Sequence, residues 1–279
     1  SYTNDIELWK SDGTNGGTSM VKDIYSGSTN SSYPADFTLI NGTLFFTAES
    51  ASAGRELWKT DGTGNGTVMV KDIISGNVGG FTLSSQFAYY AHTFQVVWQS
   101  GNKFYFTANN WASAPGGSYT NDIELFESDG TDAGTFMLKD IYAGNQNGSE
   151  PYDFTVINGT LYFTATSNLY GRELWKTDGT NAGTELVKDI NPGNIGGFTT
   201  AQQFGYYYYS FKVVWQTGNT FYFTANSAAM NSSSSYTNDI ELWKSDGTPG
   251  GTMMVKDIYA GNTNSSEPYD FNAINGVLY

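Results

Sequence analysis

Short apolar runs alternate with tight polar turns along the whole chain, and no segment spaces its apolar residues at a helical interval. In the first complete unit, Phe37–Ile40 reads as a strand. Asn41-Gly42 reads as a hairpin turn, because both residues tolerate the positive φ that a type I′ turn requires. Leu44–Ala48 follows as a nearly continuous apolar strand, which predicts burial on both faces. Glu56–Thr60 is the third strand, Asp61-Gly62-Thr63 opens a turn, and Val68–Ile73 is the fourth. This last strand mixes Val70 and Ile73 with Lys71 and Asp72, as expected near a sheet edge.

The same four-strand pattern recurs. The phrase Glu-Leu-Trp-Lys-Ser-Asp-Gly-Thr at Glu7–Thr14 returns, with small changes, from Glu56, Glu124, Glu173 and Glu241, at intervals of 49, 68, 49 and 68 residues. Two lengths therefore alternate in a 117-residue super-repeat, and Ser-Tyr-Thr-Asn-Asp-Ile-Glu-Leu, from Ser1, Ser118 and Ser235, keeps the same beat. A fixed period sets the architecture before any other reading. The long unit adds one insertion before its second strand, Phe81 to Trp98, and another before its third, Asn109 to Asp122. The next long unit repeats both, at Phe198 to Trp215 and Asn226 to Asp239.

The expected fold class is all-β, with tandem four-stranded antiparallel blade-like repeats. The divisions fall at 1–24 (second half of a long repeat), 25–73 (short), 74–141 (long), 142–190 (short), 191–258 (long) and 259–279 (first half of a short repeat). A blade has two apolar faces and buries them only against its neighbours. Pairing the two terminal halves would make a hybrid blade and break the alternation, so an open or continuing propeller-like array is expected in preference to a closed ring. Both termini fall inside phrases seen whole elsewhere, which suggests a window from a longer periodic polypeptide.

Composition narrows the function classes. The formal charge is −14, and 21 of the 27 acidic residues sit at recurring places, so the charge belongs to the repeat and not to a tail. Such a surplus argues against nucleic acid, which needs clustered Lys and Arg. Cysteine is absent, so disulfides and thiolate metal sites are excluded. No apolar run is long enough for a membrane helix, and no stretch of these residues is expected to act as a signal peptide.

The Glu-Leu-Trp-Lys-Ser-Asp-Gly-Thr phrase, followed by Gly17-Thr18 and Val21-Lys22-Asp23-Ile24, resembles the ELWxxDGT repeat family of secreted and cell-surface bacterial proteins. The likeness covers all five copies, apart from the long insertions. The third copy departs from it, with Phe126 and Glu127 in place of Trp and Lys. The resemblance implies export, an extracellular or cell-surface location, and a propeller-like repeat without known enzymatic activity.

Candidate sites follow from the phase. Asp12, Asp61, Asp129, Asp178 and Asp246 open the Asp-Gly-Thr turns, where Asp accepts local backbone hydrogen bonds. Their alternative role is calcium, a hard cation wanting six to eight oxygens, with Asp5, Asp122 and Asp239 nearby. No cofactor is otherwise expected. Trp9, Trp58, Trp175 and Trp243 are expected to pack between blades. Tyr89, Tyr90, Tyr206, Tyr207, Tyr208 and Tyr209 lie in the inserted segments. They would either cover a blade edge or contact a neighbouring subunit or a glycan. Asn30, Asn147 and Asn264 head Asn-x-Ser triplets at one point of the 117-residue period, which suggests glycosylation. Nearly every carboxylate has siblings in phase, and the single His, His92, stands where the next copy has Tyr209, so no unique catalytic constellation is expected. The sequence thus reads as a non-enzymatic structural protein of a filament, stalk or surface matrix. Its partners would be copies of itself or adjacent repeats. The alternative is a glycan-binding or adhesive propeller module.

Overall fold

The computed structural model describes residues 5–27, 29–82, 93–110, 122–144, 148–194, 196–199, 210–227, 239–260 and 265–279. Contacts divide the chain into two compact units, Ser1–Asp140 with Gly144–Gly148, and Ile141–Ala143 with Ser149–Tyr279. Each is all-β in its described residues and contains no helix. No helix of the described residues is long and apolar enough to cross a membrane.

The first unit begins with a two-stranded sheet of β1 (Leu8–Lys10) and β2 (Ser19–Lys22). A four-stranded sheet follows, of β3 (Ala35–Ile40), β4 (Thr43–Ser50), β5 (Gly54–Thr60) and β6 (Val68–Lys71) in that spatial order. The third sheet holds β7 (Val96–Ser100), β8 (Lys103–Asn109), β9 (Ile123–Ser128) and β10 (Phe136–Lys139). The second unit contains two more four-stranded sheets. One is β11 (Tyr152–Ile157), β12 (Thr160–Ser167), β13 (Gly171–Thr177) and β14 (Glu185–Lys188); the other is β15 (Trp215–Thr217), β16 (Thr220–Asn226), β17 (Ile240–Ser245) and β18 (Met253–Lys256). A short pair closes it, β19 (Ala273–Ile274) with β20 (Val277–Leu278). Every pairing is antiparallel between consecutive strands. These are propeller-like meander blades.

Turn chemistry fixes the register. Asn41 and Gly42 have φ of 48° and 82°, and Asn158 and Gly159 have 51° and 81°, as a type I′ hairpin demands. The long units use Gly-Asn instead, with Gly101 and Gly218 at φ 62° and 57°. The first strand starts earlier than its apolar pattern suggests, at Ala35, because a bulge around Asp36 (φ 57°) carries the pairing further. The fourth strand ends at Lys71, short of Ile73. The main chain leaves the ladder there, and the Ile74 N–H turns to the Glu56 carboxylate.

The second strand is two-faced, as its apolar run predicts. Phe45 points to one side, into a cluster with Leu57, Val70, Phe104, Phe106 and Phe126 of this sheet and the next. Phe46 and Ala48 point to the other, into a cluster with Trp58 and with Leu8 and Ile24 of the first sheet. The second unit repeats the first arrangement, with Tyr162, Leu174 and Val187 packed against Phe221, Phe223 and Trp243. Its Tyr162–Phe221 ring pair, 4.8 Å apart, matches Phe45–Phe104 at 4.8 Å in the first unit. Part of the first insertion also enters this core. Phe81 and Phe94 are buried and meet edge to face at 5.9 Å.

Candidate functional site

The recurring phrase contributes four kinds of side chain to its sheet. The first is its Glu. Glu7, Glu56, Glu124, Glu173 and Glu241 are all buried. Glu7 accepts hydrogen bonds from the Ile24 N–H at 2.8 Å and the Ser32 N–H at 2.9 Å. Glu56 accepts from Ile74 at 3.4 Å and Gly80 at 3.0 Å, and Glu173 from Asn191 at 3.1 Å and Gly197 at 2.8 Å. Glu7, Glu56 and Glu173 each gather the end of their own fourth strand and the link leading onward from it. Burial pushes the Glu56 carboxyl up to about 8, and it pushes Glu173 well above the usual carboxylate range.

The second is the Asp-Gly-Thr turn. Asp12 Oδ1 accepts the Thr14 N–H at 2.9 Å and the Thr14 hydroxyl at 2.7 Å. Thr14 Oγ1 in turn accepts the Gly17 N–H at 2.9 Å. Asp61, Asp129, Asp178 and Asp246 make the same pair of bonds to Thr63, Thr131, Thr180 and Thr248. These bonds hold all five carboxyls below the usual Asp range. The turn is so tight that a Cβ on Gly17 would lie 1.9 Å from Asp12 Oδ1. Among the described residues, none of the five Asp joins a close group of three potential metal ligands.

The third is the Lys, which reaches across to the neighbouring sheet. Lys10 Nζ donates to Gly62 O, Lys59 to Gly130 O and Lys176 to Gly247 O, each at 2.8 Å. The acceptor is always the Gly of the next Asp-Gly-Thr turn. The fourth-strand lysines add a second reach, Lys22 to Thr67 O at 2.8 Å and Lys71 to Asp132 O at 3.3 Å. Glu127, which replaces the Lys in the third copy, is buried and pairs with Lys103.

The fourth is the aromatic residue. Trp58, Trp175 and Trp243 are buried, as expected, but Trp9 is 57% exposed, which corrects the expectation of a packed ring there. The reason is geometric. Trp58 and Trp243 face the sheet before their own, and no described residue covers that face of the first sheet.

Asn30 is half-buried, and its side-chain amide donates to Ser26 O at 3.1 Å. Asn147 and Asn264 lie outside the described residues, as do Tyr89, Tyr90, Tyr206, Tyr207, Tyr208 and Tyr209. A cleft of ≈ 280 Å³ lies between the first two sheets. Lys10 and Asp61 are the ionisable groups lining it, so it offers no carboxylate pair.

The sequence reading set Asp239 near the calcium candidates but missed the residues it groups with. Asp239, Glu241 and Asp257 each bring a carboxylate oxygen within 4.8 Å of the other two. Asp239 and Glu241 are buried, and Asp257 is exposed. Asp239 Oδ2 accepts the Ser227 hydroxyl at 2.8 Å, whereas Asp239 Oδ1 is buried without a hydrogen-bond partner. Burial, then the charges of Asp257 and Glu241, raise the Asp239 carboxyl. The Asp-Ile-Glu and Lys-Asp phrases were visible as repeats, but only the bulged pairing of β17 with β18 shows that they converge.

No protein-family profile matches the chain, and no curated protein matches it. Among solved structures it is similar to the computationally designed protein Ika8, at 8% identity and a TM-score of 0.34, over 93% of this chain and 57% of that one. It is also similar to an α-L-arabinofuranosidase from Clostridium thermocellum, at 14% identity and a TM-score of 0.27, over 88% of this chain and 79% of that one. A third is an α-L-arabinofuranosidase from Podospora anserina, solved with cellotriose, at 12% identity and a TM-score of 0.29, over 81% of this chain and 67% of that one.

Proposed function

We propose that the protein is a non-enzymatic structural repeat protein of a filament, stalk or surface matrix outside the cell. Its sheets continue head to tail with further copies of the same repeat. The observation that carries this reading is the contrast between equivalent positions. Trp9 is 57% exposed where Trp58, Trp175 and Trp243 are at 8%, 7% and 7%. At the other end Val255 is 46% exposed, against 2% for Val70 and 0% for Val187. Both faces carry the apolar residues that bury against a neighbouring sheet elsewhere in the molecule.

The polar groups agree. Lys244 and Lys256 occupy the places of Lys59 and Lys71, which reach the next turn, and no such turn lies beside them among the described residues. The Gly13 carbonyl of the first turn matches the acceptors Gly62, Gly130 and Gly247. A further repeat, in the same polypeptide or in a second copy, would thus find the kinds of group that the chain uses between its own sheets. The extracellular placement rests on the resemblance of the repeat phrase.

Sedimentation velocity over a concentration series, followed by electron microscopy, tests the proposal. The 279-residue chain is expected to form oligomers that grow with concentration and appear as linear particles. Trp9→Glu and Val255→Asp should each abolish that growth while leaving the circular dichroism spectrum unchanged. A chain that stays monomeric at several hundred micromolar, or oligomers indifferent to both substitutions, would overturn it.

A further inference from the structure

We propose that Asp239, Glu241 and Asp257 form a binding site for a hard divalent cation of the calcium class. The three carboxylates converge to within 4.8 Å of one another, and no ion pair reaches any of them among the described residues. Asp239 is 6% exposed, and its Oδ1 is buried with no hydrogen-bond partner. A buried carboxylate oxygen left unpaired beside two more carboxylates calls for a positive charge, because burying uncompensated charge is strongly unfavourable.

Among the described residues the surroundings supply hydrogen bonds but no ion pair. Glu241 accepts from the Ser266 N–H at 3.1 Å, the Ser266 hydroxyl at 2.5 Å and the Ile258 N–H at 3.4 Å. The Asp239 N–H is held by Asn226 Oδ1 at 3.0 Å, which fixes the carboxylate's base. Asp257 is exposed and gives the ion an entry path. Three carboxylates with no His or Cys suit a hard cation that takes oxygen ligands and completes its shell with water. They do not suit zinc, which favours nitrogen and sulfur.

The repeat provides an internal comparison. In the long units the phrase is Asp-Ile-Glu, at Asp122–Glu124 and Asp239–Glu241. In the short units it is Gly-Arg-Glu, at Gly54–Glu56 and Gly171–Glu173, which removes one carboxylate and adds a cation. Asp122 repeats the features of Asp239: it is buried, its Oδ1 has no partner, and its N–H is held by Asn109 Oδ1 at 3.1 Å. Burial and the charge of Asp140 push its carboxyl up to about 6. The buried Asp therefore recurs in the long type of unit, the convergence of three carboxylates is seen at Asp239, Glu241 and Asp257, and both are distinct from the five Asp-Gly-Thr turns.

The test is a titration of the chelator-treated full chain with terbium(III), read by sensitised luminescence, with calcium as competitor and calorimetry for stoichiometry. Saturable terbium binding displaced by calcium is expected. Asp257→Asn should lower the calcium stoichiometry by one ion per chain, and Asp239→Asn should do the same. Asp246→Asn, in an exposed turn of the same sheet, should leave it unchanged. Asp257 is exposed, so its variant reports on binding even if Asp239→Asn fails to fold. No calcium uptake by the wild-type chain, or equal stoichiometry in wild type and Asp257→Asn, would overturn the proposal.

Discussion

Trp9 and Trp58 occupy the same place in the same phrase, and their surroundings differ almost completely. Trp58 lies in a cluster with Leu8, Ile24, Phe46 and Ala48, whereas the Trp9 ring is largely in water. Val70 and Val255 give the same contrast on the opposite face. Nearly identical local sequence thus yields a core residue in one sheet and a surface residue in another. Burial here belongs to the sheet-to-sheet contact and not to the strand. That is how repeat proteins store their stability, as a sum of intrinsic and neighbour terms.

The sharpest way to break this comparison is truncation at the two tryptophans. Trp58→Ala should lower the unfolding free energy by about 3–5 kcal/mol, the usual loss for a large aromatic in a core. Trp9→Ala should change it by less than about 0.5 kcal/mol, as at an exposed site. Urea unfolding at a concentration too low for self-association measures both. Equal losses would show that the ring contributes within its own sheet and not across the boundary. A smaller version uses Val70→Ala, expected to cost about 2 kcal/mol from the methyl groups and the cavity, against almost nothing for Val255→Ala.

Titration sharpens the comparison from the polar side. Burial holds the Glu56 carboxyl at about 8, above its ordinary value of 4.5. Below about pH 4.5 both the folded and unfolded states carry the proton, and the contribution to stability is full. As pH rises toward 8 the unfolded chain releases the proton first, so stability falls, by up to about 1.4 kcal/mol per pH unit for one such group. Glu56→Gln should remove one proton's worth of that slope in urea midpoints measured between pH 5 and 8. An unchanged slope would mean that the carboxylate stays ionised on its backbone N–H donors.

The smallest expected effect is at the lysines. Lys59→Met keeps the aliphatic stem and loses the bond to Gly130 O, for about 1 kcal/mol. Lys244→Met should leave the stability of the isolated chain unchanged, and it should weaken oligomer formation if head-to-tail contact uses the same bond.

Much of the fold was legible in the sequence. The strand order, the Asn-Gly hairpins and the two-faced second strand follow from turn chemistry and apolar runs, because those depend on residues close in the chain. The Asp-Gly-Thr turn is of the same kind, since Asp12 and Thr14 lie two residues apart. The candidate cation site was legible only in Asp239. Asp257 is distant in sequence from Asp239, and their convergence depends on how β18 pairs with β17 through a shifted register. The burial of the phrase Glu was equally hidden. A carboxylate in an exposed loop and one gathering two backbone N–H groups look alike in a sequence, although its retention in all five copies was a clue.

The sequence by itself determined an all-β repeat of two alternating lengths, its turns, and which residues alternate across each strand, because hydrophobic period and turn residues act locally. Only the tertiary structure decided which of those faces are covered, which Lys meets which carbonyl, and which carboxylates converge. Those outcomes arise between sheets, where contact depends on neighbours that no single strand encodes.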